Sequence, residues 1–186
     1  MRPLITTFVA GALAGAIPGA SLADTGETHS ADLIDARGGV IGEASVTEAD
    51  FGLLLDVRAE GLEPGLHGVH LHAVGDCSEI PSFASAGEHI ANGEQDHGLL
   101  AENGPHDGDL ANIFAGEDGK AVAQLETARV RLRGAHTAFL DRDGGALIVH
   151  AGEDDHVSAD GGGSGERVAC AAFEWTEPPE EDAASD

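Results

Sequence analysis

Apolar and polar residues alternate along this chain in short runs that glycines or acidic turns cut off. Such period-2 runs predict half-buried strands. In the first half, Ala31–Arg37, Gly39–Val46, Phe51–Ala59 and Leu66–Val74 read as strands, with Gly38, Gly39 and Gly61 at their boundaries. In the second half the runs are Ala121–Glu126, Ala128–Leu132, Ala146–His150 and Arg167–Glu174. No segment of the presumed mature chain sustains a helical period. Short strands without helices imply an antiparallel sandwich or barrel.

Two long stretches interrupt the pattern. Residues 75–116 are poor in strand formers and rich in histidine, glycine and acids, and residues 151–166 are similar. Loops this long inside a compact domain are usually functional or without order. The metal-type side chains of the first favour function.

The chain ends read differently. Residues 1–23 predict an export signal: Arg2 is followed by an apolar run over 4–17, Pro18 and Gly19 break it, and Ser21-Leu22-Ala23 offers small residues for cleavage. The run is shorter than a membrane span requires. A folded domain is expected over 24–176, and an acidic tail without stable structure over 177–186.

The formal net charge of −25 excludes nucleic acid as a partner and, once the signal is removed, a membrane surface. It repels small anions as well. The two cysteines, Cys77 and Cys170, would form one disulfide in an exported chain. Closing a loop of about 90 residues would contribute about 4 kcal/mol in the chain-entropy account.

The ten histidines are unevenly placed. His70 and His72 lie two apart in a strand, so both rings can reach one metal. His150 ends another apolar strand and can add a third nitrogen. The first long loop offers His89, His97, His106 and Asp109, three imidazoles and a carboxylate that suffice for a tetrahedral zinc shell. On spacing alone, a histidine-rich loop that scavenges metal loosely fits about equally well.

The surrounding residues add a family resemblance. Gly65-Leu66-His67-Gly68-Val69-His70-Leu71-His72-Ala73-Val74-Gly75-Asp76-Cys77 resembles the signature of copper,zinc superoxide dismutases. So do Ser85-Ala86-Gly87-Glu88-His89, His97-Gly98 and His106-Asp107-Gly108-Asp109-Leu110-Ala111-Asn112. Gly145-Ala146-Leu147-Ile148-Val149-His150-Ala151-Gly152 and Gly165-Glu166-Arg167-Val168-Ala169-Cys170 follow in the family's order. The blocks cover roughly residues 30–174 and look like the bacterial secreted branch.

The resemblance implies an all-β fold, an eight-stranded antiparallel Greek-key barrel with two long functional loops. It implies an oxidoreductase that converts superoxide to oxygen and hydrogen peroxide by alternate reduction and reoxidation of a histidine-bound copper beside a structural zinc. Copper would be held by His70, His72, His89 and His150, and zinc by His89, His97, His106 and Asp109, with His89 shared. Asp154 would fix the rings of His70 and His97. Arg167 would attract superoxide, and His89 would pass a proton. Cys77 and Cys170 would pair, tying the first loop to the last strand. The setting would be antioxidant defence in the periplasm or outside the cell, as a homodimer or monomer. His67 matches a structural position. His29, near the mature N-terminus, His136 and His156 carry no assigned chemistry. Glu88 and Glu166 flank the proposed active residues, and the second loop contains no lysine, which argues against strong steering of an anion.

Overall fold

The structure, a computed structural model, describes residues 26–134 and 137–176. The expected export signal, the acidic tail and His136 lie outside the described residues.

Nine strand segments form: β1 (Thr28–Asp35), β2 (Val40–Ala49), β3 (Gly52–Ala59), β4 (Gly65–His67), β5 (Val69–His72), β6 (Ile113–Ala115), β7 (Ala121–Thr127), β8 (Gly145–His150) and β9 (Arg167–Phe173). Seven make one antiparallel sheet in the order β5-β8-β9-β1-β2-β3-β7, and β4 pairs with β6. The expected run Leu66–Val74 is split at Gly68, so β4 and β5 are two parts of one strand. The nine segments therefore fill eight strand positions. The β4–β6 pair lies between the ends of the curled sheet: β4 continues β5, and β6 returns into β7 through the turn at Gly116–Lys120. Consecutive hairpins mixed with long crossovers give the expected Greek-key barrel.

The split at Gly68 has a steric cause. A Cβ there would meet Ser164 Cβ at 3.0 Å and Asp154 Cβ at 3.2 Å, so the second long loop crosses the strand where no side chain stands.

Two expectations are corrected. Ala128–Leu132 is not a strand: it leaves the sheet edge after β7, and only an isolated bridge joins Arg131 to Ala138. Val130 and Leu132 are buried, so burial rather than sheet pairing produced the alternation. Conversely, Ile113–Ala115 forms β6 inside the stretch expected to be loop. Three residues are too few to show a period.

The barrel core shows why alternation was legible elsewhere. On β3, Leu53, Leu55, Val57 and Ala59 are buried in the core, while Arg58 faces outward. Fully burying a Leu or Val side chain contributes about 1.5–3 kcal/mol. β8 is buried at every position because it serves two cores. Leu147 and Val149 enter the barrel. Ala146 and Ile148 point outward into a second cluster with Phe83, Ala86, Cys77 and Cys170. The outer face of β8, and of its neighbour β5, is thus roofed by the first long loop, and that roof holds the histidines.

Candidate metal centre

Strand geometry places the first group of imidazoles. Val69 and Leu71 of β5 enter the barrel core, so His70 and His72 face outward, under the loops. His70 is opposite Ile148 of β8, and alternation along β8 puts His150 on the same outer face as Ala146 and Ile148. His89, from the loop, bridges to His72 of β5. The ligand atoms of His70, His72, His89 and His150 all lie within 4.8 Å of one another.

The second group is built on Asp109. Its Oδ1 stands 2.9 Å from His89 Nδ1, 3.2 Å from His97 Nδ1 and 3.5 Å from His106 Nδ1. A tetrahedral zinc shell with bonds of 2.0–2.1 Å has ligand–ligand edges of about 3.3 Å. The other oxygen, Oδ2, accepts the backbone N–H groups of Gly98 at 2.8 Å and His106 at 2.9 Å. Oδ1 is thereby left to face the three rings. Burial pushes Asp109 up, but the bonds from His89, His97 and the Gly98 N–H outweigh it and hold the carboxyl well below the usual range. His70 also comes within 4.8 Å of His89, His97 and Asp109, so it borders both groups.

Five rings share one arrangement. His70 Nε2 donates to Asp154 at 2.8 Å, and His97 Nε2 to the same carboxylate at 3.1 Å. His72 Nδ1 donates to Gly87 O, His106 Nε2 to Gln95 O and His150 Nδ1 to Gly165 O. The second nitrogen of each ring is buried with no hydrogen-bond partner: His70 Nδ1, His72 Nε2, His97 Nδ1, His106 Nδ1 and His150 Nε2. Buried polar atoms normally have partners. Rings tied at one nitrogen, with the other's lone pair turned into a shared space, are what metal binding requires. The donor set therefore fits two adjacent metal ions.

The two groups differ in proton affinity. Burial pushes His70 down to about 3 and His150 to about 4, and it lowers His72 strongly. Burial acts the same way on His97, but the nearby Asp109 and Asp154 carboxylates outweigh it and raise His97 to about 9.

Asp154 joins the groups, and the structure shows what holds it. Asn112 accepts its backbone N–H at 2.9 Å and donates Nδ2 to its carbonyl at 2.8 Å. The His156 N–H donates to Asp154 Oδ1 at 2.6 Å. Gly162 has a φ of 65°, and a Cβ there would fall 1.7 Å from that oxygen. Sequence reading missed Asn112 and Gly162 as supports. The run Gly161-Gly162-Gly163 was the available signal, since such runs mark close backbone approach.

Arg167 is directly across from His150 in the β8–β9 register. Its Nη1 donates to Phe83 O at 2.7 Å and its Nη2 to Gly87 O at 2.8 Å. Gly87 O also receives His72 Nδ1 at 2.9 Å, so one carbonyl anchors both side chains. Phe83 is fully buried beside the Cys77–Cys170 disulfide, which ties the loop to β9 with its Cα atoms 5.9 Å apart. Neither long loop contains a lysine or arginine.

The other histidines belong to neither group, although His156 Nδ1, buried without a partner, lies 3.4 Å from Asp154 Oδ2. His67 is buried, with Nδ1 2.7 Å from His150 O and Nε2 2.8 Å from Glu63 O. His29 pairs with Glu27, and His156 Nε2 lies 3.2 Å from Asn112 Nδ2.

Comparison with known proteins agrees with this geometry. The family described as copper/zinc superoxide dismutase matches residues 40–173. A superoxide dismutase [Cu-Zn] of Caulobacter vibrioides is 46% identical over 132 residues, 69% of this chain and 75% of that protein. A superoxide dismutase [Cu-Zn] 2 of Aquifex aeolicus is 37% identical over 166 residues, 87% of this chain and 96% of its own. The crystal structure of a double mutant of a SOD-like protein from Bacillus subtilis superposes with a TM-score of 0.75 at 35% identity, covering 78% of this chain and 97% of that one. With the family match running from β2 to β9 and through both long loops, the chain belongs to the copper/zinc superoxide dismutase family.

Proposed function

We propose that this protein is a superoxide dismutase that turns two superoxide ions and two protons into oxygen and hydrogen peroxide. One observation carries the reading: five buried ring nitrogens without partners converge on two adjacent spaces, both bordered by His89 and His70. His70, His72, His150 and His89 would hold copper, and His89, His97, His106 and Asp109 would hold zinc. His106 is preferred to His70 for zinc because its free Nδ1 faces Asp109 Oδ1, whereas the His70 ring is positioned by Asp154 against the copper ligands. Bound copper would supply the one-electron change of state, and zinc a fixed charge without redox chemistry.

The chain's own residues do the rest. Arg167 keeps a permanent charge, and two of its five N–H donors are spent on Phe83 and Gly87. The others remain for an oxygen anion beside His150. His89 is held at Nδ1 towards Asp109, so its Nε2 is the atom that would take and deliver a proton near the copper group. Asp154 keeps His70 and His97 in one tautomer each.

An oxidising setting outside the cytoplasm is supported by the disulfide and by the absence of free cysteines among the described residues. Residues 1–23 would be the leader that takes the chain there.

The test is a dismutation assay on protein loaded with copper and zinc, with metal content measured on the same sample. Rapid dismutation is expected. Full occupancy without activity would leave a metal-buffering protein, the reading that the retained Arg167 and complete ligand set disfavour.

A further inference from the structure

Two depressions open on the metal centre, and their linings differ. One, of about 460 Å³, is lined by His150, Arg167, Glu166, Gly165, Pro81 and Ser82 among others. It contains the guanidinium. The second, of about 320 Å³, is lined by Glu88, His89, His97, His106 and Asp160 with small residues between them. It contains no lysine or arginine. Glu88 and Asp160 are exposed at its rim. Its floor carries three of the four zinc-group side chains, and His97, only 2% exposed, turns an unpartnered Nδ1 into it. His106 and His89 keep 23% and 12% of their side chains exposed, so the floor is reachable from solvent. Carboxylates at a mouth with imidazole nitrogens below attract a divalent cation, which displaces the His97 proton on binding, and repel superoxide.

We infer that this second depression is the entry port for the zinc-group metal ion, with Glu88 and Asp160 as its steering carboxylates, while superoxide uses the Arg167 side. The inference rests on the zinc assignment above. It assigns a use to Glu88 and Asp160, whose charge repels an anionic substrate; Glu88 also acts on Arg167, holding its charge. It also separates the two kinds of traffic by sign of charge.

The test is zinc uptake by the metal-free full chain with its disulfide intact, followed by stopped flow against a fluorescent zinc chelator. At about 10 mM ionic strength the Debye length is about 30 Å, so rim charges act at full strength. The double variant Glu88→Gln with Asp160→Asn should bind zinc about fivefold more slowly than the parent, and the gap should close in about 0.5 M salt. Removing two acids from the outer barrel face, Glu43→Gln with Glu126→Gln, should change the rate much less. The charge-keeping pair Glu88→Asp with Asp160→Glu should load at the parental rate. Equal rates in the neutral pair and the parent would overturn the port. Slow loading in the charge-keeping pair would do the same, since the loss would then be structural. A parent chain that binds no zinc would instead overturn the zinc site itself.

Discussion

Three of the four proposed copper ligands are carried by strands, whereas the proposed zinc ligands all come from a loop. His70 and His72 are fixed by the pleat of β5, and His150 by the pleat of β8. The barrel core beneath them would position these rings whether or not metal is bound. His97 and His106 have no ladder to hold them, and Asp109 is joined to β5 by an isolated bridge to His70. Two backbone N–H groups on Asp109, one carbonyl on His106 and the Asp154 carboxylate are the main restraints on that side. The contrast teaches that one group of ligands is held by strand ladders and the other mainly by hydrogen bonds between loops.

The largest effects should come from breaking one side at a time. His150→Ala should lower dismutation by more than about 100-fold, beyond the 10–100-fold usual for an outer partner of a ligand. The melting temperature of the zinc-loaded protein should move by only a few degrees. His97→Ala should show the stronger thermal effect, with amide protection lost across residues 88–110. Calorimetry and hydrogen exchange on both variants would check this, and equal melting shifts would erase the contrast.

Asp154→Asn should act on both sides, because His70 and His97 donate to the same carboxylate. Weakening of both metals by about 10–100-fold is expected in competition titrations. Loss of only one would mean that the groups are independent. Metal removal comes next. An ion present at about 1,000 times its dissociation constant stabilises by about 4 kcal/mol. At about 2–4 °C per kcal/mol for a domain of this size, the apo-protein should melt about 10 °C lower.

Proton release should sharpen the contrast further. His70 and His150, held near 3 and 4, are already neutral at pH 7, so copper binding at their nitrogens should release almost no protons. His97, raised to about 9, keeps its proton in the apo-protein, so zinc binding should release about one at pH 7–8. Calorimetry in buffers of different ionisation enthalpy reads this directly. The apo-protein's stability should follow the same signs. His70 and His150 bind fewer protons folded than unfolded, so their contribution is present above about 6.5 and is lost as pH falls towards 3–4. His97 binds more when folded, so its contribution is present below 6.5 and is lost as pH rises through about 9. The smallest effect concerns salt. With neither long loop carrying a lysine or arginine, the dismutation rate should stay flat or rise modestly with ionic strength. A steep fall, seen by pulse radiolysis, would show that local attraction at Arg167 dominates.

The strand side was also the more legible in sequence. A His-x-His pair inside an apolar run declares its own geometry, because a strand turns alternate residues to one face. The barrel could be read for the same reason, except where a segment was too short, as at Ile113–Ala115, or apolar for burial alone, as at Val130 and Leu132. Loop geometry depends on contacts between distant residues. That Asn112 clamps Asp154, or that Phe83 and Gly87 carbonyls anchor Arg167, follows from how two loops cross over the barrel, which no local period records. Resemblance to the family named Asp154 and Arg167, but the groups that hold them came only from the coordinates. His106 lies between these cases: its spacing from Asp109 was visible, while its closeness to the oxygen that His89 and His97 also face was not.

The central claim is that two different ions share His89. Diffraction from crystals of the metal-loaded protein, with anomalous data on both sides of the copper and zinc edges, tests it most directly. The account predicts one copper bounded by His70 Nδ1, His72 Nε2, His150 Nε2 and His89, and one zinc at the Nδ1 atoms of His89, His97 and His106 with Asp109 Oδ1. A single metal peak, or a zinc that takes His70 in place of His106, would contradict it.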